Sequence, residues 1–182
     1  MSCKDLKNIA YDCKAFIGLG GITEAIFVLS NDRKTGADYE VDEETHKYVK
    51  LGYDSAAVEF YLTPNTANYA GASAFALETN TYLYNHTFTL VITRREAAKS
   101  AAIQVMSEGF QYIDVIYKDA NGYVWVIENA RLSQDDENSG TAKADNSSYN
   151  LTFTAESSHK LYEFPVAIYD TIKDFVPTPP GE

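Results

Sequence analysis

The chain has 182 residues, enough for one domain with a proper core. Hydrophobic residues make up 45%, which excludes a disordered chain, and 14 tyrosines favour strands over helices. A formal net charge of −11 argues against a sequence-independent grip on nucleic acid, which needs clustered Lys and Arg against phosphate.

The opening stretch "MSCKDLKNIAYDCK" is charged and polar and has no apolar signal-peptide core. No apolar run approaches the ~18 residues of a membrane span. Cys3 and Cys13 fit no zinc spacing and make no disulfide scaffold. They are expected to be reduced thiols in a protein made in a bacterial cytosol. The sequons at Asn85, Asn146 and Asn150 then carry little meaning, because glycosylation needs a secretory route. The organisation read from the chain is an N-terminal arm over 1–21, a single β-barrel or sandwich domain over 22–170, and a C-terminal tail over 171–182.

"GLGG" ending at Gly21 reads as a tight turn, because no helix with the Gly or Lys of a phosphate loop follows it. "ITEAIFVLS" from Ile22 to Ser30 is the first core strand. Asn31 to Asp54 is long, acidic and poor in core candidates, and reads as either an assembly loop or a solvated hairpin. "SAAVEFYLT" from Ser55 to Thr63 reads as a strand, and "NYAGASAFALET" from Asn68 to Thr79 as an edge or bent strand. "TYLYNHTFTLVI" from Thr81 to Ile92 is the strongest strand, with Tyr82, Tyr84, His86, Phe88 and Leu90 on one face and Thr87 and Thr89 on the other.

The period then changes. A helix is predicted over about Thr93–Glu108, with Thr93 and Glu96 as a capping box. Its apolar stripe is Ala97, Ala101, Val105 and Met106, and Gly109 is its stop. "FQYIDVIYK" and "YVWVIENARL" flank Asp119-Ala120-Asn121-Gly122, a strong hairpin signal, with Trp125 read as core. Ser133 to Ser148 reads as a polar loop. Its Asp135, Glu137 and Gly140 loosely echo a calcium loop, but the last ligand position falls on Asn146, so that reading is rejected. Tyr149, Leu151 and Phe153 alternate with Asn150, Thr152 and Thr154 on the next strand. "KLYEFPVAIYD" closes the sheet, with Pro165 confining it to an edge or bend. The fold class is therefore mainly β, an antiparallel sandwich or barrel with a single packed helix.

His46, His86 and His159 are isolated in sequence, and none has the spacing of a helical metal site. His86, between strand tyrosines, reads as an inter-strand or core histidine. There is no GxSxG elbow, no HExxH and no P-loop. No catalytic, cofactor-binding or metal-binding residue is assigned, no cofactor is expected, and the chain is not read as an enzyme.

One longer pattern remains. Gly140, Ala142, Asp145, Tyr149, Leu151, Thr152 and Phe153 form "G-x-A-x-x-D-x-x-x-Y-x-L-T-F", following a hairpin with an Asn-Gly turn. This resembles the tail tube (major tail) proteins of Bacteroides-type phages. "GGITEAIFVLS" is similar to that family's opening strand, and "TYLYNHTFTLVITRREAAKSAAIQVMSEG" to its central strand and helix. The chain departs from the family at Asn146-Ser147-Ser148, where a glycine often follows the acid, and across Asn31–Asp54. The resemblance implies a virion structural protein that self-assembles into stacked, commonly six-membered rings. Its lumen would pass DNA without binding it during ejection. Its partners would be further copies and other tail proteins, with no membrane, assembled in the host cytoplasm. Asn31–Asp54 and Ser133–Ser148 would then be assembly arms. The alternative is a β-sandwich binding module, an adhesin or carbohydrate-binding domain, displayed on a virion or cell surface.

Overall fold

A computed structural model describes residues 20–175 except 61, 64, 79, 109, 110 and 142–144. Cys3, Cys13, most of the 1–21 arm, Gly109, Ala142 and the chain beyond 175 lie outside the described residues. In chain order the elements are β1 (Ile22–Leu29), β2 (Tyr39–Asp42), β3 (Lys47–Leu51), β4 (Val58–Glu59), β5 (Asn68–Ala76), β6 (Thr81–Thr93), α1 (Ala97–Ser107), β7 (Ile113–Asp119), β8 (Val124–Asn138), β9 (Ser148–Ser157), β10 (Tyr162–Phe164) and α2 (Val166–Lys173).

The strands form two layers joined by one long strand. The first runs β2-β3-β10-β8-β7-β1-β4 and the second β5-β6-β9-β8. β8 serves both: its first half pairs with β7 and β10, and Arg131–Asn138 pairs with β9. All pairings are antiparallel except β3 with β10, so the sheet is mixed, and it does not close into a barrel. The expected sandwich with a packed helix is the architecture found.

The main core lies between the layers. β1 and β7 contribute Phe27, Ile113 and Val115; β6 and β9 answer with Phe88, Leu90, Leu151 and Phe153. Strict alternation on β6 and β9 produces this half-buried sheet, apolar side in and Thr/Asn side out. β1 differs: Ala25, Ile26, Phe27 and Val28 are all buried, because the first layer is covered on both faces. Its back holds a second core of Ile26, Val28, Ile116, Val124 and Val126 against Tyr48, Leu51, Tyr53, Tyr169 and Ile172.

Phe27 is the hinge of the inter-layer packing, with ring centroids 5.1 Å from Phe153, 5.5 Å from Phe60 and 6.3 Å from Phe88. Phe27→Ala is expected to cost about 3–5 kcal/mol through lost contacts and a cavity that three aromatic rings cannot all collapse into. A urea titration checks this as a lowered midpoint at unchanged slope.

Several expectations are corrected. Of the two readings of Asn31–Asp54 the hairpin is the one found, but it is not merely solvated: β2 and β3 form it, and it packs Tyr48, Leu51 and Tyr53 into the second core. Among the described residues of Ser55–Thr63 only Val58 and Glu59 pair as strand, although Phe60 and Leu62 are buried. Ser133–Asn138, read as loop, is the outer half of β8. α1 starts at Ala97, capped without a side-chain bond, because Thr93 is still paired to Ser148 at the end of β6 and Arg94 turns the chain at φ 66°. Its buried residues are Ile103 and Met106, while Val105 is 55% exposed. The described residues hold two α-helices rather than one. After the three residues of β10, Pro165 fixes an extended N-cap and Val166–Lys173 is α2. Tyr169 and Ile172 bury its inner side, and Lys173 clamps it to Glu24 (2.8 Å) and Glu59 (3.0 Å). The 171–182 tail therefore begins later than expected. Trp125, expected in the core, is half-buried and packs against the margin of the main core.

Candidate functional site

The hairpin β5–β6 outgrows the rest of its layer. The last pair between β6 and β9 is Tyr84 with Ser157, and Ser73 pairs with the same Tyr84 from the other side. Beyond it Ala74–Ala76 and Thr81–Leu83 form a two-stranded ribbon paired only with itself among the described residues. Register puts Phe75 and Tyr82 on the core-side face, with ring centroids 5.1 Å apart. Both are exposed, as is Leu83, and Leu77 at the tip is 84% exposed.

Among the described residues β5 is also the free edge of the second layer. Its nine residues, "NYAGASAFA", contain no charge and no proline. The other edges are guarded: the outer half of β8 carries Arg131, Asp135, Asp136 and Glu137, β2 carries Glu40 and Asp42, and β4 is two residues long.

Under the root of the ribbon the layers part into a cleft of about 840 Å³. Tyr69, Tyr84 and His86 line it from the second layer, Tyr117 and Trp125 from the first, and Asp119, Asn121, Ser73 and Lys160 stand at its polar positions. Tyr69 lies between Tyr117 (5.7 Å) and His86 (6.0 Å), near parallel to both rings. Gly71 makes this possible: a Cβ there would sit 2.4 Å from the Tyr69 hydroxyl.

The three histidines, isolated in sequence, meet at this end of the fold. His46 and His159 flank the Tyr162 ring at 4.2 and 4.6 Å. His86, 3% exposed, is held between Tyr69 Oη at Nδ1 (2.8 Å) and Ser157 Oγ at Nε2 (2.9 Å). The Ser157 hydroxyl donates to the His159 carbonyl, so it must accept from His86. That assigns the proton to Nε2 and leaves Nδ1 to accept from Tyr69. In this state His86 is no base toward Ser157, and the string positions side chains without activating a nucleophile.

Burial lowers the His86 pKa below its ordinary 6.5, with the His159 backbone hydrogen bond working the other way. A depressed folded pKa means that the unfolded chain binds protons first. The contribution of His86 is thus intact above 6.5 and lost as pH falls through its folded value. Wild-type stability is expected to fall more steeply between pH 7 and 5 than that of His86→Gln, which cannot titrate. Parallel urea midpoints for the two proteins would contradict it.

A second polar cluster lies behind the first layer. Asp114 on β7 is fully buried. Its Oδ1 accepts Ser30 Oγ (2.7 Å), Arg33 Nη2 (2.5 Å) and the Asn129 N–H (2.9 Å); its Oδ2 accepts Arg33 Nε (2.7 Å) and Tyr53 Oη (2.7 Å). Glu128 accepts Arg33 Nη1 (3.0 Å), Tyr39 Oη (3.1 Å) and Tyr48 Oη. A bulge on β8 sets this up: Ile113 pairs with Ala130 and Val115 with Ile127, so Glu128 and Asn129, the latter at φ 53°, both face Asp114. Burial, then Glu128, pushes Tyr39 up to about 12, and burial, then Asp114, raises Tyr53 well above its ordinary value. Burial pulls Arg33 down, but the hydrogen bond and charge of Asp114 outweigh it and hold Arg33 above its usual range. The phenols stay protonated donors and the guanidinium stays charged. This cluster fastens the β2–β3 hairpin.

The patterned stretch also has a physical basis. Gly140 sits at φ 70°, and a Cβ there would be 2.5 Å from Asp145 Cβ. The Asp145 carboxylate accepts the Thr141 N–H (2.8 Å) and hydroxyl (3.0 Å), closing the loop before β9, whose Tyr149, Leu151 and Phe153 enter the core. Among the described residues no group of three or more His, Cys, Asp or Glu could hold a metal ion, and no helix is long and apolar enough to cross a membrane. No protein-family model matches the chain, and no curated protein matches it in sequence.

Proposed function

We propose that the chain is a ring-forming virion structural subunit of the tail tube type, its rings stacking into a channel for DNA. The observation that carries this reading is the unguarded β5 edge and the bare apolar ribbon it continues into. A long flat edge without charges adheres to another strand, and soluble monomers avoid it. The second layer has two unlike edges, β5 and the charged outer half of β8, so copies would join head to tail, and a head-to-tail contact that closes makes a ring. Six copies is the number the family resemblance suggests.

In such a ring the outward face of the second layer would line the lumen. Alternation places Thr87, Thr89, Asn150, Thr152 and Thr154 there, with Arg131, Asp136 and Glu156 as its charges. The face is hydroxyl-rich and close to neutral, so the acidity of the chain is carried elsewhere. Without clustered cations it offers phosphate no grip, which suits passage of DNA. Light scattering with negative-stain microscopy tests the reading: rings with a central hole are expected, and a monomer from micromolar to millimolar protein overturns it. A second reading, a displayed binding module, draws support from the aromatic cleft.

A further inference from the structure

The cleft has a composition that ring assembly does not use. Two half-buried rings, Tyr84 and Trp125, come to it from opposite layers. The Trp125 indole is oriented by its N–H donating to Asp119 Oδ2 at 3.2 Å. Asp119 is fixed in turn, its Oδ1 accepting the N–H groups of Asn121 (2.9 Å) and Tyr123 (3.0 Å). A carboxylate so held keeps accepting capacity on Oδ2 and cannot swing away. Asn121 and Ser73 add neutral polar groups, and Lys160 offsets the single acid, so the lining carries no net charge. The volume of about 840 Å³ lies in the range of small-molecule sites.

Each feature narrows the ligand. Balanced charge disfavours a phosphate or a carboxylate ligand. An oriented carboxylate with accepting capacity left on Oδ2 disfavours a purely apolar chain, which would make no use of it. Aromatic faces combined with fixed acceptors and an amide match a molecule with one apolar face and a rim of hydroxyls. We infer that the cleft binds a short neutral saccharide, its ring faces against Tyr84 and Trp125 and its hydroxyls on Asp119, Asn121 and Ser73. The inference stands apart from ring assembly, which uses the edge and tip of the ribbon.

Trp125 is the one tryptophan in the chain, so its emission reports the cleft directly. Titration of the full chain with cellotriose, xylotriose and chitotriose is expected to give a saturable change for at least one, with a dissociation constant on the order of 1 mM or tighter. Tyr84→Ala should weaken that binding at least about tenfold, or 1.4 kcal/mol, while Tyr84→Phe keeps it. Calorimetry on Trp125→Ala, which lacks the reporter, should show the same loss. No saturable change with any of the three sugars overturns the inference. So does unchanged binding in Tyr84→Ala, or saturation by decanoate where the sugars give none. Because Trp125 belongs to the first layer and Tyr84 stacks on Tyr82 of the ribbon, ring formation in Trp125→Ala is what separates failure here from failure of the assembly reading.

Discussion

Asp114→Ala is expected to destabilise the protein by about 3–5 kcal/mol, as removal of one partner of a buried ion pair does. The side chain is fully buried, and five donors converge on its two oxygens. Deleting it leaves the Arg33 guanidinium, itself only 14% exposed, with Glu128 as its remaining carboxylate partner among the described residues, and leaves the Tyr53 and Ser30 hydroxyls and the Asn129 N–H without their acceptor. Domains of this size are stable by roughly 5–15 kcal/mol, so the variant should sit near the threshold of folding. Asp114→Asn should be little better, because its NH₂ group faces donors where an acceptor is required. The urea midpoint measures the loss. A double-mutant cycle with Arg33→Leu identifies the mechanism: the two losses should combine to much less than their sum, since either change breaks the same pair. Additive losses would mean that Asp114 and Arg33 act separately. Hydrogen exchange in a mildly destabilised variant should rise first in β2 and β3, which the cluster ties to the sheet.

The same cluster marks the limit of what sequence could show. Ser30, Arg33, Tyr53, Asp114 and Glu128 are scattered over nearly a hundred positions, and no local period links them. "FQYIDVIYK" read only as one strand of the Asn-Gly hairpin, yet its Asp114 organises the β2–β3 hairpin, which the sequence offered as one of two readings. β2 and β3 were legible only as one of two readings, because Glu40, Asp42, Lys47 and Lys50 surround the few buried residues, and their core is supplied by distant strands of the same layer and by α2. β6, β9 and the Asn-Gly hairpin were legible because period-2 alternation and turn chemistry act locally. α2 was misread as strand because "FPVAI" is too short for periodicity to separate the two, and Tyr169 and Ile172 decide it only through tertiary burial. α1 was legible, but it begins four residues later than expected, and of its expected stripe only Met106 is buried. Its Ala-rich surface allowed several stripes, and the Ser100 hydroxyl, 2.5 Å from Tyr149 Oη, fixes which side turns inward. His86 was legible as an inter-strand histidine. The cleft beside it was not, since its walls come from β5, β6, β7 and β8 and from the turns at Gly20 and Lys160.

Under the proposed ring assembly, placing lysine at both Ala74 and Ala76 is expected to convert rings to monomers while leaving the urea midpoint unchanged. Both alanines are exposed on the outward side of the free ribbon, paired with Leu83 and Thr81, so the fold of one subunit gains and loses nothing by the change. Charge on an edge strand is how natural sheets prevent pairing with a neighbour, and β5 lacks it. In a closed ring the added charges recur at every interface, so the effect multiplies around the circle. The ribbon tip gives an independent arm of the same test. Leu77 is 84% exposed and Phe75 and Tyr82 are about half exposed, a display that an isolated subunit has no use for. Burying one such side chain against a second copy is worth about 1.5–3 kcal/mol, so Leu77→Ser should weaken each contact roughly 10–100-fold. If the lysines act at the edge, raising salt should partly restore assembly in that variant and not in Leu77→Ser, because only the first repulsion is screened. Rings that persist in both variants would place the interface elsewhere, and the proposal that β5 joins the subunits would fall.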